Sequence, residues 1–217
     1  MQSSRKPRLE LITFDLDGTI LHGRILYYLR VPKALHDEIV AQDELFFQGK
    51  LGYKETIGMQ LGLLVGMKVK EIAPDPDALP LVRDLGPTVH KLRESGVRVA
   101  ILTDNPSFAA DPLRVYGFQD IIASKIETSN GVLTDRMRVL TNKLEGLSDL
   151  CKQNGFGLST CAHVGDWVND IVVFERVGLS VAFNPTEEDV ARAATWNVRS
   201  ESLLDVYEAL APSLTDS

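Results

Sequence analysis

Leu9-Glu10-Leu11-Ile12-Thr13-Phe14-Asp15-Leu16-Asp17-Gly18-Thr19 is the stretch on which the reading of this chain turns. Its apolar run, Leu9–Phe14, stops abruptly at two acids one residue apart. A short, near-continuous apolar run reads as a strand buried on both faces, the kind found in parallel sheets. A carboxylate at the end of such a strand can attack phosphorus and form an acyl phosphate, dividing one hard displacement into two easier ones. Asp15 is in that position. Asp17 can protonate the leaving oxygen and later deprotonate an attacking water. Gly18 lets the backbone turn sharply, so that amides approach a phosphate. Acids and a glycine also make plain turns, but their place directly after an apolar strand favours the chemical reading.

Working outward, three more apolar runs end in polar residues: Val97–Leu102, Cys161–Val164 and Leu179–Phe183. Helical periodicity between them predicts helices over Leu81–Glu94, Thr141–Gln153 and Trp167–Val177, each stopped at or near a glycine. Ile121–Glu127 and Val132–Thr134 flank Ser129-Asn130-Gly131 and predict a hairpin. From Leu21 to Asp77 no strand is legible, only helical patterning over Pro32–Phe47 and Tyr53–Val65, closed by a linker at Pro74–Asp77. The expected fold is therefore α/β, a doubly wound and mostly parallel sheet, with a helical cap inserted after the first strand. The core would comprise residues 1–20 and 78–217, and the cap residues 21–77. In such sheets ligands bind at the carboxyl ends of strands, where Asp15, Thr103 and Asp166 all fall.

Three further elements join Asp15 and Asp17. Thr103 ends the second run, and its hydroxyl with the following amides can hold phosphate oxygens, although Thr103-Asp104-Asn105-Pro106 is also a plain helix N-cap. Lys143 can bridge the nucleophile and the phosphate and neutralise charge in a dry site. Gly165-Asp166-Trp167-Val168-Asn169-Asp170 follows the third run. Magnesium prefers carboxylate oxygens with water and phosphate, so Asp166 is the expected direct ligand, with Asp170 orienting a water or Lys143.

These elements, in this order, resemble the haloacid dehalogenase superfamily of phosphotransferases across nearly the whole chain. The resemblance implies that Asp15 is the nucleophile and Asp17 the acid/base. It makes Thr103 the phosphate binder and Lys143 the bridging lysine, with Gly18, Asp104 and Asn169 beside the phosphate. Asp166 and Asp170 become the metal-site acids, joined by Asp15 and by the backbone carbonyl of Asp17. The implied cofactor is Mg²⁺. An Asp at position 17 fits phosphatases and phosphomutases and not the dehalogenases or cation-pumping ATPases. Within the superfamily, Gly49-Lys50-Leu51-Gly52-Tyr53 and Gly178–Asn184 are similar to segments of the phosphoserine phosphatase group. Two positions depart from it: Arg24 stands where that group has a Glu for the substrate ammonium, and Gln60 where it has an Arg for the carboxylate. Such changes should weaken phosphoserine binding. Asp104 replaces a Gly and is expected to point away from the phosphate. Arg24 is expected to meet an acidic or sugar-like substrate. A phosphomutase is the alternative, lowered by Tyr27 where sugar phosphomutases tend to carry His, and a catalytically silent binding domain is less favoured still.

Composition agrees with a small-molecule enzyme. The 217 residues are 44% hydrophobic and 24% charged, and the net charge of −7 argues against a nucleic-acid partner. Cys151 and Cys161 read as two free thiols suited to a reducing compartment. Met1–Arg8 is basic but no apolar signal stretch follows it, and the Met59–Met67 run is too short to span a bilayer. A cytoplasmic monomer or homodimer acting on a small phosphorylated metabolite is expected. His22 is a candidate substrate contact near the hinge of the insert. His36, His90 and His163 read as surface or strand residues, and Phe46, Phe47 and Tyr53 as the interior of the insert.

Overall fold

Leu11–Phe14 forms β1, four residues that are all buried, at the centre of a seven-stranded sheet. The structure, a computed structural model, describes residues 8–214; Met1–Pro7, on which the reading of the N-terminus rests, and residues 215–217 lie outside the described residues. The remaining strands are β2 (Arg98–Pro106), β3 (Asp120–Ser129), β4 (Val132–Arg138), β5 (Cys161–Gly165), β6 (Leu179–Phe183) and β7 (Trp196–Val198). The helices are α1 (Lys33–Phe47), α2 (Tyr53–Gly62), α3 (Val69–Ile72), α4 (Leu85–Glu94), α5 (Ser107–Ala110), α6 (Lys143–Asn154), α7 (Ile171–Phe174), α8 (Glu188–Ala193) and α9 (Leu204–Leu210).

Strand order is β4-β3-β2-β1-β5-β6-β7, parallel throughout except for the β3–β4 hairpin. Phe14 pairs in register with Ile101 on one side and Val164 on the other. The next residues of all three strands therefore emerge together at the carboxyl edge, where the connections diverge to opposite sides of β1. Ile12, Phe14, Val99, Ile101, Val164 and Val181 are fully buried in one apolar cluster. Full burial of one such side chain contributes about 1.5–3 kcal/mol.

The strands and the hairpin lie where the sequence places them, with β2 and the hairpin arms longer than expected, while several helix boundaries differ. The helix expected from Leu81 begins at Leu85, because Leu81 and Val82 run extended against Leu21 and Ile20, and Asp84 is left-handed at φ 64°. The helix expected over Trp167–Val177 breaks into a 3₁₀ turn at Val168–Asp170 and α7, since Trp167 is extended. The N-cap reading of Thr103 also fails: β2 continues to Pro106, and the helix after it begins only at Ser107. The α8–β7–α9 segment was not anticipated, because β7 spans three residues and its Trp196 is half exposed.

The helical insert is not free-standing. Ile39, Ile57 and Leu61 from α1 and α2 join the cluster that holds β1. Beyond α2 the chain pairs with the hairpin: Gly66 N–H donates to Leu133 O at 2.8 Å and Val69 N–H to Gly131 O at 3.0 Å. The expected linker tightens into a 3₁₀ turn, Pro76–Ala78, with the Asp75 carboxylate accepting the Asp77 N–H. Cys151 and Cys161 are free and buried, with sulfurs 3.4 Å apart. No helix of the described residues is long and apolar enough to cross a membrane.

Candidate active site

Asp15, first beyond β1, is buried, and its Oδ1 lies 2.7 Å from Lys143 Nζ. Lys143 is the first residue of α6, whose start is fixed by the Asn142 side chain accepting the Leu144 N–H at 3.0 Å. The same ammonium lies 2.6 Å from Asp170 Oδ1. One buried cation is thus shared by two carboxylates contributed by separate segments. Burial works against the Lys143 charge, but Asp15, Asp170 and Asp104 outweigh it and hold the amine above the ordinary lysine value. Asp15 itself is pushed well up by burial, against the pull of Lys143.

Asp170 has every oxygen engaged. Oδ1 meets Lys143 and lies 2.9 Å from His163 Nε2, while Oδ2 accepts the backbone N–H of Asp166 and of Trp167, both at 3.1 Å. Burial opposes its charge, yet Lys143 first and His163 after it hold the carboxyl below the usual range. His163 in turn stands 2.8 Å from Thr13 Oγ1, and burial lowers its affinity for a proton. This line from β1 through β5 to the acid was not anticipated: His163 was read as an ordinary strand residue, and Thr13 and His163 meet only because β1 and β5 pair.

Asp166, first beyond β5, accepts the Thr19 hydroxyl on Oδ1 at 2.7 Å. Gly18 is left-handed at φ +80°, and a Cβ there would come within 2.2 Å of Asp166 Oδ2. Its freedom serves the acid's close approach as well as the turn. Burial lifts Asp166 to about 7, despite the Thr19 hydrogen bond. Asp15, Asp166 and Asp170 each offer an oxygen within 4.8 Å of the others. An all-oxygen set suits a hard divalent cation. The site fits such an ion. Asp166 and Asp15 would hold it, while Asp170, already saturated, is better suited to fixing the loop and Lys143.

The Asp17 carboxylate stands apart from that trio. Its Oδ1 accepts the Ile25 N–H at 2.8 Å, and its Oδ2 accepts Asn105 Nδ2 at 3.0 Å. Burial lifts it to about 6, against the opposing pull of Arg24. Asn105 also bonds Thr103 Oγ1 at 3.0 Å, so the buried Thr103 is tied to the acid through it. Thr19, Asn105, Thr13 and His163 are the supporting residues that sequence reasoning missed.

A chamber of 230 Å³ opens among Asp15, Asp17, Gly18, Asp166 and the underside of the insert. Asp104 does not point away as expected. Its carboxylate lines this chamber and accepts Asn169 Nδ2 at 2.9 Å, and burial raises it. Arg24 lines the far wall, with Nε 3.1 Å from Asp43 Oδ2 and its guanidinium 5.7 Å from the Phe47 ring centroid. Asp43 is only 1% exposed and also accepts Gln60 Nε2 at 2.9 Å. Of the three aromatic residues expected in the interior of the insert, only Tyr53 packs on its core cluster. Phe47 is 63% exposed at the chamber mouth, and Phe46 and Tyr53 pack on Trp167 of the β5 loop. His22 does not line the chamber; its backbone N–H donates to Pro80 O at 2.9 Å and its carbonyl accepts the Tyr28 hydroxyl at 3.3 Å.

Known proteins are similar to this chain in sequence and in fold. The family model for haloacid dehalogenase-like hydrolases matches residues 9–178. A phosphoserine phosphatase from Archaeoglobus fulgidus is 27% identical over 205 residues, covering 92% of this chain and 59% of its own length. One from Halobacterium salinarum is 28% identical, covering 82% of this chain and 87% of its own. The chain thus spans about three fifths of the first relative and most of the second. A solved phospho-aspartyl intermediate analogue of phosphoserine phosphatase superposes with a TM-score of 0.71 at 20% identity, covering 93% of this chain and 99% of the other, and so shares the fold. The acid-ended strands, the buried lysine between two carboxylates and the matched span of residues agree: the chain belongs to the haloacid dehalogenase-like hydrolase family.

Proposed function

We propose that this chain is a Mg²⁺-dependent phosphomonoester hydrolase acting on a small phosphorylated metabolite through an aspartyl phosphate on Asp15. The observation that carries this reading is the shared ammonium of Lys143, 2.7 Å from Asp15 and 2.6 Å from Asp170. It offsets part of the burial penalty on the charge of the nucleophilic carboxylate and supplies positive charge where phosphoryl oxygens would gather. An oxygen of Asp15 would form a bond to phosphorus as the ester oxygen departs. Asp17, a proton donor lifted to about 6, would protonate that oxygen. Water would then attack the phosphorus of the acyl phosphate, giving its proton to Asp17 and releasing phosphate and free Asp15. Thr103 and Lys143 would bind phosphoryl oxygens, Gly18 would bring backbone amides close, and Asn169 would be oriented by Asp104. A divalent ion held by Asp166 and Asp15, with the carbonyl of Asp17, would neutralise charge on the transferring group. Residues 21–77 would act as the cap and 1–20 with 78–217 as the catalytic core. The two free thiols fit a cytoplasmic setting.

Turnover of an aryl phosphate is expected to vanish in excess chelator and return with Mg²⁺. Ca²⁺ is expected to inhibit, because its larger and looser oxygen shell alters the geometry between carboxylate and phosphate. Full activity in chelator would remove the metal role from Asp166.

The leaving-group side of the chamber favours an acidic or sugar-like body over an ammonium. Arg24 is the cation there, and buried Asp43 anchors it from behind. A substrate ammonium would meet a guanidinium, whereas a carboxylate or a vicinal diol would find donors. The kcat/KM for phosphoglycolate is therefore expected to exceed that for phosphoserine, by about tenfold or more. The double variant Arg24→Gln/Asp43→Asn removes the pair without stranding a buried charge, and should erase the preference. Phosphoserine as the better wild-type substrate would refute this account of Arg24 while leaving the roles of Asp15 and Asp17 untouched.

A further inference from the structure

We infer that Trp167 is a specificity-determining residue that restricts the substrate to phosphomonoesters whose leaving group is no larger than a single ring; this rests on the hydrolase reading above. Trp167 directly follows Asp166, so its indole stands beside the reaction centre and lines the same chamber. Its backbone is pinned twice over. The Trp167 N–H donates to Asp170 Oδ2 at 3.1 Å, and the Trp167 carbonyl accepts the Asp170 N–H at 3.0 Å. Asp170 is itself fully buried and held by Lys143 and His163. The ring therefore cannot swing clear by a local backbone movement.

Its far side meets the insert. The Phe46 ring stands edge-on at 5.9 Å between centroids, and Tyr53 is tilted at 6.2 Å. Phe46 lies at the end of α1 and Tyr53 at the start of α2, and these two rings also touch each other at 5.8 Å. Edge-to-face contacts are favoured by the opposed charge of ring face and ring edge. One indole thus fastens α1 and α2 to the loop that carries Asp166. The roof cannot rise without breaking these contacts, and the space beneath it is 230 Å³. That is smaller than the roughly 300–1,000 Å³ of sites that take drug-sized ligands. A phosphoryl group with a short polar chain fits such a chamber, whereas a fused aryl ring requires the place of the indole.

The test compares wild type, Trp167→Phe and Trp167→Ala, with Mg²⁺, on glycerol 3-phosphate as a compact ester and 1-naphthyl phosphate as a bulky one. Thermal melting establishes that each variant is folded. The ratio of kcat/KM for naphthyl to glycerol phosphate should rise by about tenfold or more in Trp167→Ala, mainly through a lower KM for the bulky ester, with Trp167→Phe in between. Should Trp167→Ala not fold, Trp167→Leu, which keeps apolar bulk but shortens the wall, decides by the same ratio. A ratio that stays within about twofold of wild type in a folded variant overturns the inference and leaves the hydrolase reading standing. Absence of hydrolysis of every ester by the wild type would instead overturn the hydrolase reading, and the inference with it.

Discussion

Asp15→Asn is expected to abolish turnover of p-nitrophenyl phosphate, by at least about 10⁴-fold, the scale on which removing a covalent nucleophile acts. A neutral amide oxygen is too weak a nucleophile to bond to phosphorus, and the amide is otherwise isosteric. What gives this prediction its edge is that stability should not follow activity. Burial pushes the Asp15 carboxyl well above its ordinary value, which means that the fold disfavours the charged form. A neutral side chain relieves that penalty. Lys143 keeps Asp170 at 2.6 Å, so its ammonium is not stranded. The variant should therefore melt within a few degrees of wild type while losing its rate, and it should form no phosphoenzyme detectable by mass spectrometry. Near-wild-type turnover by folded Asp15→Asn would end the covalent mechanism.

The parts of this site that could be read in advance are those written along the chain. Asp15, Thr103 and Asp166 each end an apolar run, and parallel pairing of those runs brings their ends to one edge. Lys143 was legible only beside them, since a lysine at a helix start has no signature of its own. The parts that could not be read are made by strand pairing and by burial. Thr13 and His163 meet across the β1–β5 register, 150 residues apart in the chain. Asn105 looked like part of a helix cap because Thr-Asp-Asn-Pro is locally compatible with one. The sheet instead carries β2 on to Pro106, and this delivers the Asn105 amide to Asp17. Phe46 and Tyr53 read as interior residues of the insert, but nothing in the chain says what they face. Their partner, Trp167, belongs to a loop whose extended backbone is dictated by Asp170 and not by its own helical pattern. The extended loop and the placing of Phe46 and Tyr53 are therefore one feature, because Trp167 is where both rings pack.

Asp17→Asn should reduce kcat by about 10²–10⁴-fold for an alkyl phosphate, the range expected for losing a general acid. The substitution is conservative in contacts. An amide oxygen still accepts the Ile25 N–H, now at 2.8 Å from Oδ1, and the facing Asn105 amide can turn to present its oxygen to the new NH₂ group. The proton is lost without the scaffold. That loss should depend on the leaving group. An alkoxide must be protonated as it departs, whereas 2,4-dinitrophenolate leaves unaided, so the first step of the variant should be almost normal for dinitrophenyl phosphate. The second step still needs a base for the attacking water, and Asp17 supplies it. Dinitrophenyl phosphate should therefore give a rapid burst of phenolate, equal to one enzyme equivalent, followed by slow turnover. With glycerol 3-phosphate both steps fail and no burst appears. Stopped-flow traces with the two esters measure this directly. A loss of equal size for both, with no burst for either, would remove proton transfer from Asp17 and leave it only its hydrogen bonds to Ile25 and Asn105 at the entrance to the insert.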